Sequence, residues 1–186
     1  MDESRKRNII VAVAFLLPIL FIVVIVAITY IPSVLLKTDY NFLYATCDDE
    51  YRYDCNIYLN NVYGVKDGKI MINQIDPNAD FNYNEVKDIN ENIKTRIFLY
   101  DTKTETSREI TPAEAEKLNL SELATSPDGV SVSSGYDYNE SVFFFGGGSQ
   151  YGQYLVKGKN RREINLIGNN DYYYNRNFKF VGWILK

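Results

Sequence analysis

The residues whose spacing carries the most chemistry are Asp76, Asn78, Asp80 and Asn82, in the stretch DPNADFNYNE from Asp76 to Glu85, where Asn84 continues an alternation of oxygen-bearing side chains. Calcium loops present their oxygen ligands at alternate positions in this manner. Two departures count against that reading: Phe81 stands where the turn glycine belongs, and Lys87 where a bidentate glutamate would close the site. The competing reading is a polar loop in which Asp and Asn stabilise turns. No cofactor is therefore expected, with calcium at this loop as the one alternative.

Nucleophilic chemistry is narrowly bounded. The chain has no histidine, which removes Ser-His and Cys-His mechanisms and histidine-ligated metals. No serine has lysine three residues on, so the S-x-x-K arrangement is missing too. Gly146 to Gly148 are followed by a strand-like SQYGQYLV and not by G-K-[ST], which argues for a loop and against a phosphate cradle. Carboxylates are plentiful, and a pair of them would serve glycoside hydrolysis. Their spacing singles out no pair.

Tyrosine is the remaining chemical signal. It clusters at Tyr51, Tyr53, Tyr58 and Tyr63, at Tyr136 and Tyr138, and at Tyr172, Tyr173 and Tyr174. Tyrosine offers an apolar face and a hydrogen-bonding tip, so exposed clusters suit protein or glycan recognition. The alternative is that these rings fill a β core and its cross-strand pairs. In DYYYN, successive side chains of a strand point to opposite faces, so at least one ring is expected outside. Tyr172, Tyr173, Tyr174, Tyr136 and Tyr138 are the expected binding residues.

These residues are positioned by a chain with two contrasting parts. From Asn8 to Leu36 there is no charged residue, and the aliphatic run from Ile9 to Ile31 would span about 34 Å as a helix, enough for a hydrocarbon core of about 30 Å. That run is longer than the apolar region of a cleaved signal peptide, so a retained single-pass anchor embedded in the lipid bilayer through residues 9–31 is expected. Arg5, Lys6 and Arg7 precede it. Positive residues stay on the cytoplasmic side, which places residues 1–8 inside and the C-terminal part outside the cell membrane. Pro18 removes one helical amide bond, and a kink is expected there.

Residues 37–186 are long enough to bury about 70% of their unfolded surface in one core. Removing Arg5, Lys6 and Arg7 from the 20 basic residues, and Asp2 and Glu3 from the 24 acidic ones, leaves 17 against 22. This balance gives no basic footprint for nucleic acid. Cys47 and Cys55 flank DDEYRYD just beyond the anchor. On the exported side their simplest fate is a disulfide, with an intermolecular bridge as the alternative.

The expected organisation is a juxtamembrane segment at 32–55 and an extracytoplasmic domain at 56–186. Asp67-Gly68 separates two strand-like runs in NIYLNNVYGVKDGKIMINQI and reads as a two-residue β-hairpin turn. RIFLYD, SREI, YGQYLV, REINLI and FKFVGWILK read as strands. Thr111, Pro112 and Glu114 form a capping box at the start of one short helix. The expected fold class is mainly β, a small antiparallel blade-like or sandwich domain with one short helix behind the anchor.

RIFLYDTKTETSREIT followed by SPDG resembles the seam between consecutive blades of TolB-like and WD40-like β-propeller repeats, over about residues 96–165. The resemblance implies blade-like units, but at about 40 to 50 residues per blade the chain holds two or at most three, too few to close a ring. The pattern SPDG…FFF…KGK…GWI is also similar to that of short membrane-anchored bacterial proteins. Unclosed sheets leave strand edges that must be covered, charged or paired with a partner. A binding module with an envelope protein or glycan partner is the function expected. The alternatives are a carboxylate-dependent glycan hydrolase of the cell wall and a calcium-stabilised structural domain.

Overall fold

The computed structural model describes residues 3–47, 55–74, 94–137, 150–167 and 177–186. The chain divides into two units, Met1–Leu36 and Lys37–Lys186. The first holds α1 (Glu3–Val34), which runs through Pro18 without ending. Within it, Ile10–Ile28 is long and apolar enough to cross a membrane.

The second unit is built on antiparallel strands. β1 (Phe42–Cys47), β4 (Thr95–Asp101), β5 (Thr106–Ile110), β6 (Leu120–Ser121) and β10 (Phe178–Ile184) form a five-stranded sheet in the order β5-β4-β1-β10-β6. β1 lies inside the stretch expected to be a juxtamembrane segment, yet it is the central strand, and all six of its residues are buried. Its continuous apolar run FLYATC suits a strand covered on both faces.

Each face of this sheet has its own core. One face carries Leu43, Ala45, Ile97, Ile110 and Val181, packed with Leu59 and Val62 of α2 (Cys55–Val62) and with Ile70 of the hairpin β2 (Tyr63–Lys66) and β3 (Lys69–Ile72). The other face is aromatic. Tyr44 stacks on Phe98 with ring centroids 5.2 Å apart, and Phe42 lies 4.9 Å from Tyr100 and 5.3 Å from Trp183. A register shift in the β1–β10 ladder, between Leu43 and Tyr44, gives β10 an extra residue at Val181. That bulge lets Phe180 and Trp183, an odd number of residues apart, face the same side.

The Asp67-Gly68 turn is present, but its hairpin is shorter than the sequence suggests, because NIYLNNV forms α2 instead of strand. The disulfide between Cys47 and Cys55 ties this helix to the end of β1. Lys179 of β10 donates to the carbonyl oxygens of Asn60 and Tyr63 at the helix's C-terminal end, where such groups lack helical partners. Sequence periodicity alone missed this helix, whose stability comes from the disulfide, the lysine and its packing on the sheet.

The short helix α3 (Pro112–Ala115) begins on the expected capping box, with the Thr111 side chain and Glu114 satisfying each other's backbone N–H groups. β7 (Ser131–Asp137), β8 (Gln150–Lys157) and β9 (Asn160–Ile164) form a separate three-stranded sheet in that order. The described strands thus form three open sheets and no closed barrel.

Candidate functional site

The Ser126-Pro127-Asp128-Gly129 turn sets the start of β7. Gly129 has φ +84° and donates to the Ser126 carbonyl at 2.9 Å, a conformation that favours glycine. The Ser126 hydroxyl accepts the Val130 N–H at 2.9 Å. Asp128 accepts from the Thr38 hydroxyl at 3.0 Å and from the Asp39 N–H at 3.2 Å, and is also bonded to Ser126. Partial burial pulls the Asp128 carboxyl upward, but the hydrogen bonds from Ser126, Thr38 and Asp39 outweigh it and hold the group below its usual range. The turn is thereby pinned to the segment that leads into β1.

Among the described residues, the sheet beyond this turn presents an unequal pair of edges. β8 pairs with β7 from Ser131↔Val156 to Asp137↔Gln150, and with β9 on its other side. β9 is an outer strand carrying Arg161, Arg162 and Glu163, and Arg162 makes an ion pair with Glu105. Charged side chains of this kind discourage another strand from joining. β5, an outer strand of the larger sheet, is charged in the same way: Arg108 pairs with Glu114 and Glu109 with Arg96.

β7 is different. From Ser131 to Tyr136 it has no charged residue and no proline. Its first residue is covered by a bridge to Thr125. Beyond that bridge, from Val132 to Asp137, the strand has a partner on one side only among the described residues. Ser133 and Ser134 are exposed, and the space beside Gly135 is open. This is a run of backbone donors and acceptors able to receive an extended chain.

Of the expected binding residues, Tyr136 lies on β7, paired with Tyr151 of β8; the placement of its side chain is outside the described residues. Tyr138, Tyr172, Tyr173 and Tyr174 also lie outside them, as do Asp76, Asn78, Asp80 and Asn82. Among the described tyrosines, several serve the core. Burial pushes the Tyr44 hydroxyl up to about 12, even though it donates to Ser107 at 2.8 Å and accepts the Ile167 N–H at 3.0 Å. Burial likewise raises Tyr63, whose hydroxyl bonds Thr95 at 2.6 Å. Among the described residues, no group of three Cys, Asp or Glu side chains gathers as a metal site.

Ser133, Ser134 and Gly135 carry no residue type that marks them as a site from sequence. The available signal was an uncharged strand, SVSSGY, directly after a strong turn; only strand order makes it an outer strand among the described residues. No family model matches the chain, and neither the curated proteins nor the solved structures contain a match.

Proposed function

We propose that this is a single-pass membrane protein, with its N-terminus cytoplasmic, whose exported domain is a binding module that accepts an extended segment of an envelope protein along β7. The observation carrying this reading is the contrast between edges: β5 and β9 are guarded by charge, whereas Val132 to Tyr136 is uncharged and paired on one side among the described residues. Main-chain hydrogen bonds would supply affinity, and side chains of alternating orientation would supply selectivity. Tyr136 is the aromatic residue placed on that strand, with Tyr138 next in sequence. The orientation follows from Arg5, Lys6 and Arg7 ahead of the apolar run.

The experiment is photocrosslinking in intact membranes. A photoreactive residue at Ser133 or Ser134 of the full chain is expected to capture a discrete protein, and one at Arg108 on β5 is not. Ser133→Lys or Ser134→Lys places a charge on the edge and is expected to abolish capture from the neighbouring position, while thermal unfolding stays unchanged. Equal capture from β5 and β7, or capture insensitive to the added charge, overturns strand addition. A product that collapses on glycan digestion instead assigns the edge to a glycan.

A further inference from the structure

The disulfide between Cys47 and Cys55 is enclosed by the fold. Cys55 is fully buried and Cys47 is 6% exposed. Both belong to the core that also holds Leu59 and Val62 of α2 and Val181 of β10. Thiol–disulfide exchange proceeds by attack of a thiolate on a sulfur, so its rate depends on access. In the folded domain that access is closed, and the bond must be made before the fold is complete.

The elements that enclose it reach the domain at different times. The two cysteines are eight positions apart near the start of the exported unit. α2 packs on β1 and on β10, and Lys179 of β10 donates to the Asn60 carbonyl at 3.1 Å and to the Tyr63 carbonyl. β10 is the last strand of the chain, and it pairs with β1 from Phe42↔Trp183 to Thr46↔Phe178. Until it arrives, α2 lacks one of the two strands it packs on and the lysine that satisfies its last carbonyls. At synthesis rates of about 5 to 20 residues per second, the chain between Cys55 and β10 takes about 6 to 25 s to follow. Uncatalysed disulfide rearrangement takes minutes to hours, and formation reaches seconds only with an effective oxidant or isomerase.

We propose that the chain is the substrate of an exported thiol oxidant, which joins Cys47 to Cys55 before β10 pairs with β1, and that β10 then seals the product beneath α2. One cysteine thiolate attacks the oxidant's disulfide and expels one of its thiolates. The second cysteine thiolate attacks the chain's sulfur in the mixed disulfide and expels the other. Two electrons and two protons pass to the oxidant, which leaves as a dithiol. The sealed bond is a permanent brace and not a redox switch. The inference rests on the reading of the domain as exported, since thiols stay reduced in the cytoplasm.

The seal is tested on the oxidised full-length protein in detergent, treated with dithiothreitol while free thiols are trapped by alkylation. Reduction is expected to be at least about a hundredfold slower than in urea, because it waits for local opening. Equal rates overturn the seal and leave the export reading untouched. Lys179→Met keeps the aliphatic stem and removes the donor, and is expected to speed reduction about tenfold while Trp183 keeps its near-ultraviolet dichroism. Reduction at the parent's rate overturns the role of β10. The order is read in intact cells, by alkylating pulse-labelled chains and following their resistance to protease. Pairing of the cysteines is expected before resistance appears. Pairing that follows resistance overturns the order, and thiols that never pair overturn the export reading with it.

Discussion

Two side chains show how polar groups hold this domain together. Asp128 keeps its carboxyl below the usual range, so it stabilises the fold above about pH 4, the ordinary aspartate value, and loses that contribution as pH falls through its lower folded value. Asp128→Asn is expected to cost about 1 to 2 kcal/mol in denaturant unfolding at pH 7. The difference from the parent should shrink as pH falls below the ordinary aspartate value and the folded carboxyl takes up its proton; a constant difference would count against the assignment. Tyr44 works in the opposite direction. Its hydroxyl is raised to about 12, so its contribution is complete below about pH 10, the ordinary tyrosine value, and drains away between there and pH 12. Tyrosinate absorbance should show a late-titrating phase that coincides with loss of near-ultraviolet dichroism. Tyr44→Phe leaves the Ile167 N–H without this acceptor and should cost about 1 to 2 kcal/mol.

At the scale of elements, β10 sets the fit of the layers. A Cβ placed on Gly182 would lie 3.0 Å from the Ser121 carbonyl and 3.1 Å from a methyl of Val65. The first of these is backbone of β6 and has little room to give. Gly182→Ala should therefore destabilise by about 1 to 3 kcal/mol, as overpacking does. The Trp183 emission spectrum should shift as the strand moves away from β6; an unperturbed spectrum and melting temperature would refute the account. The bulge at Val181 belongs to the same design, because it returns Trp183 to the aromatic face after Phe180. Without it, Trp183 would face the side packed by the β2–β3 hairpin.

For the whole molecule, the Cys47–Cys55 disulfide joins the central strand to the helix that covers one face. Its loop is short, and on chain-entropy grounds it contributes about 2.5 kcal/mol. Cys47→Ser/Cys55→Ser should lower the denaturant midpoint accordingly, with exchange protection lost first in α2 and last in β1 and β4. Uniform loss of protection would show that α2 and the sheet unfold as one unit. The three-stranded sheet bears no direct link to this disulfide. Photocrosslinking from β7 should therefore persist under reducing conditions that leave the large sheet folded.

Some of this architecture is written in local residue order. The apolar run of α1, the Asp67-Gly68 turn, the capping box at Thr111 and the strands of RIFLYD and YGQYLV are all decided by neighbours in sequence, through helix length, turn geometry and alternation. The pairing of Cys47 with Cys55 was legible for the same reason, since eight positions separate them. Other features depend on which strand lies beside which. FLYATC looks like part of a linker until β4 and β10 flank it and bury both faces. NIYLNNV has the composition of a strand, yet it folds as a helix because Cys47, Lys179 and the sheet face hold it there. The face occupied by Trp183 depends on one inserted residue. The one-sided pairing of β7 among the described residues, and the tie of its leading turn to Thr38, are properties of strand order and of turns brought together from distant positions. Local preference has no term for such contacts, because they are made only when the chain closes on itself.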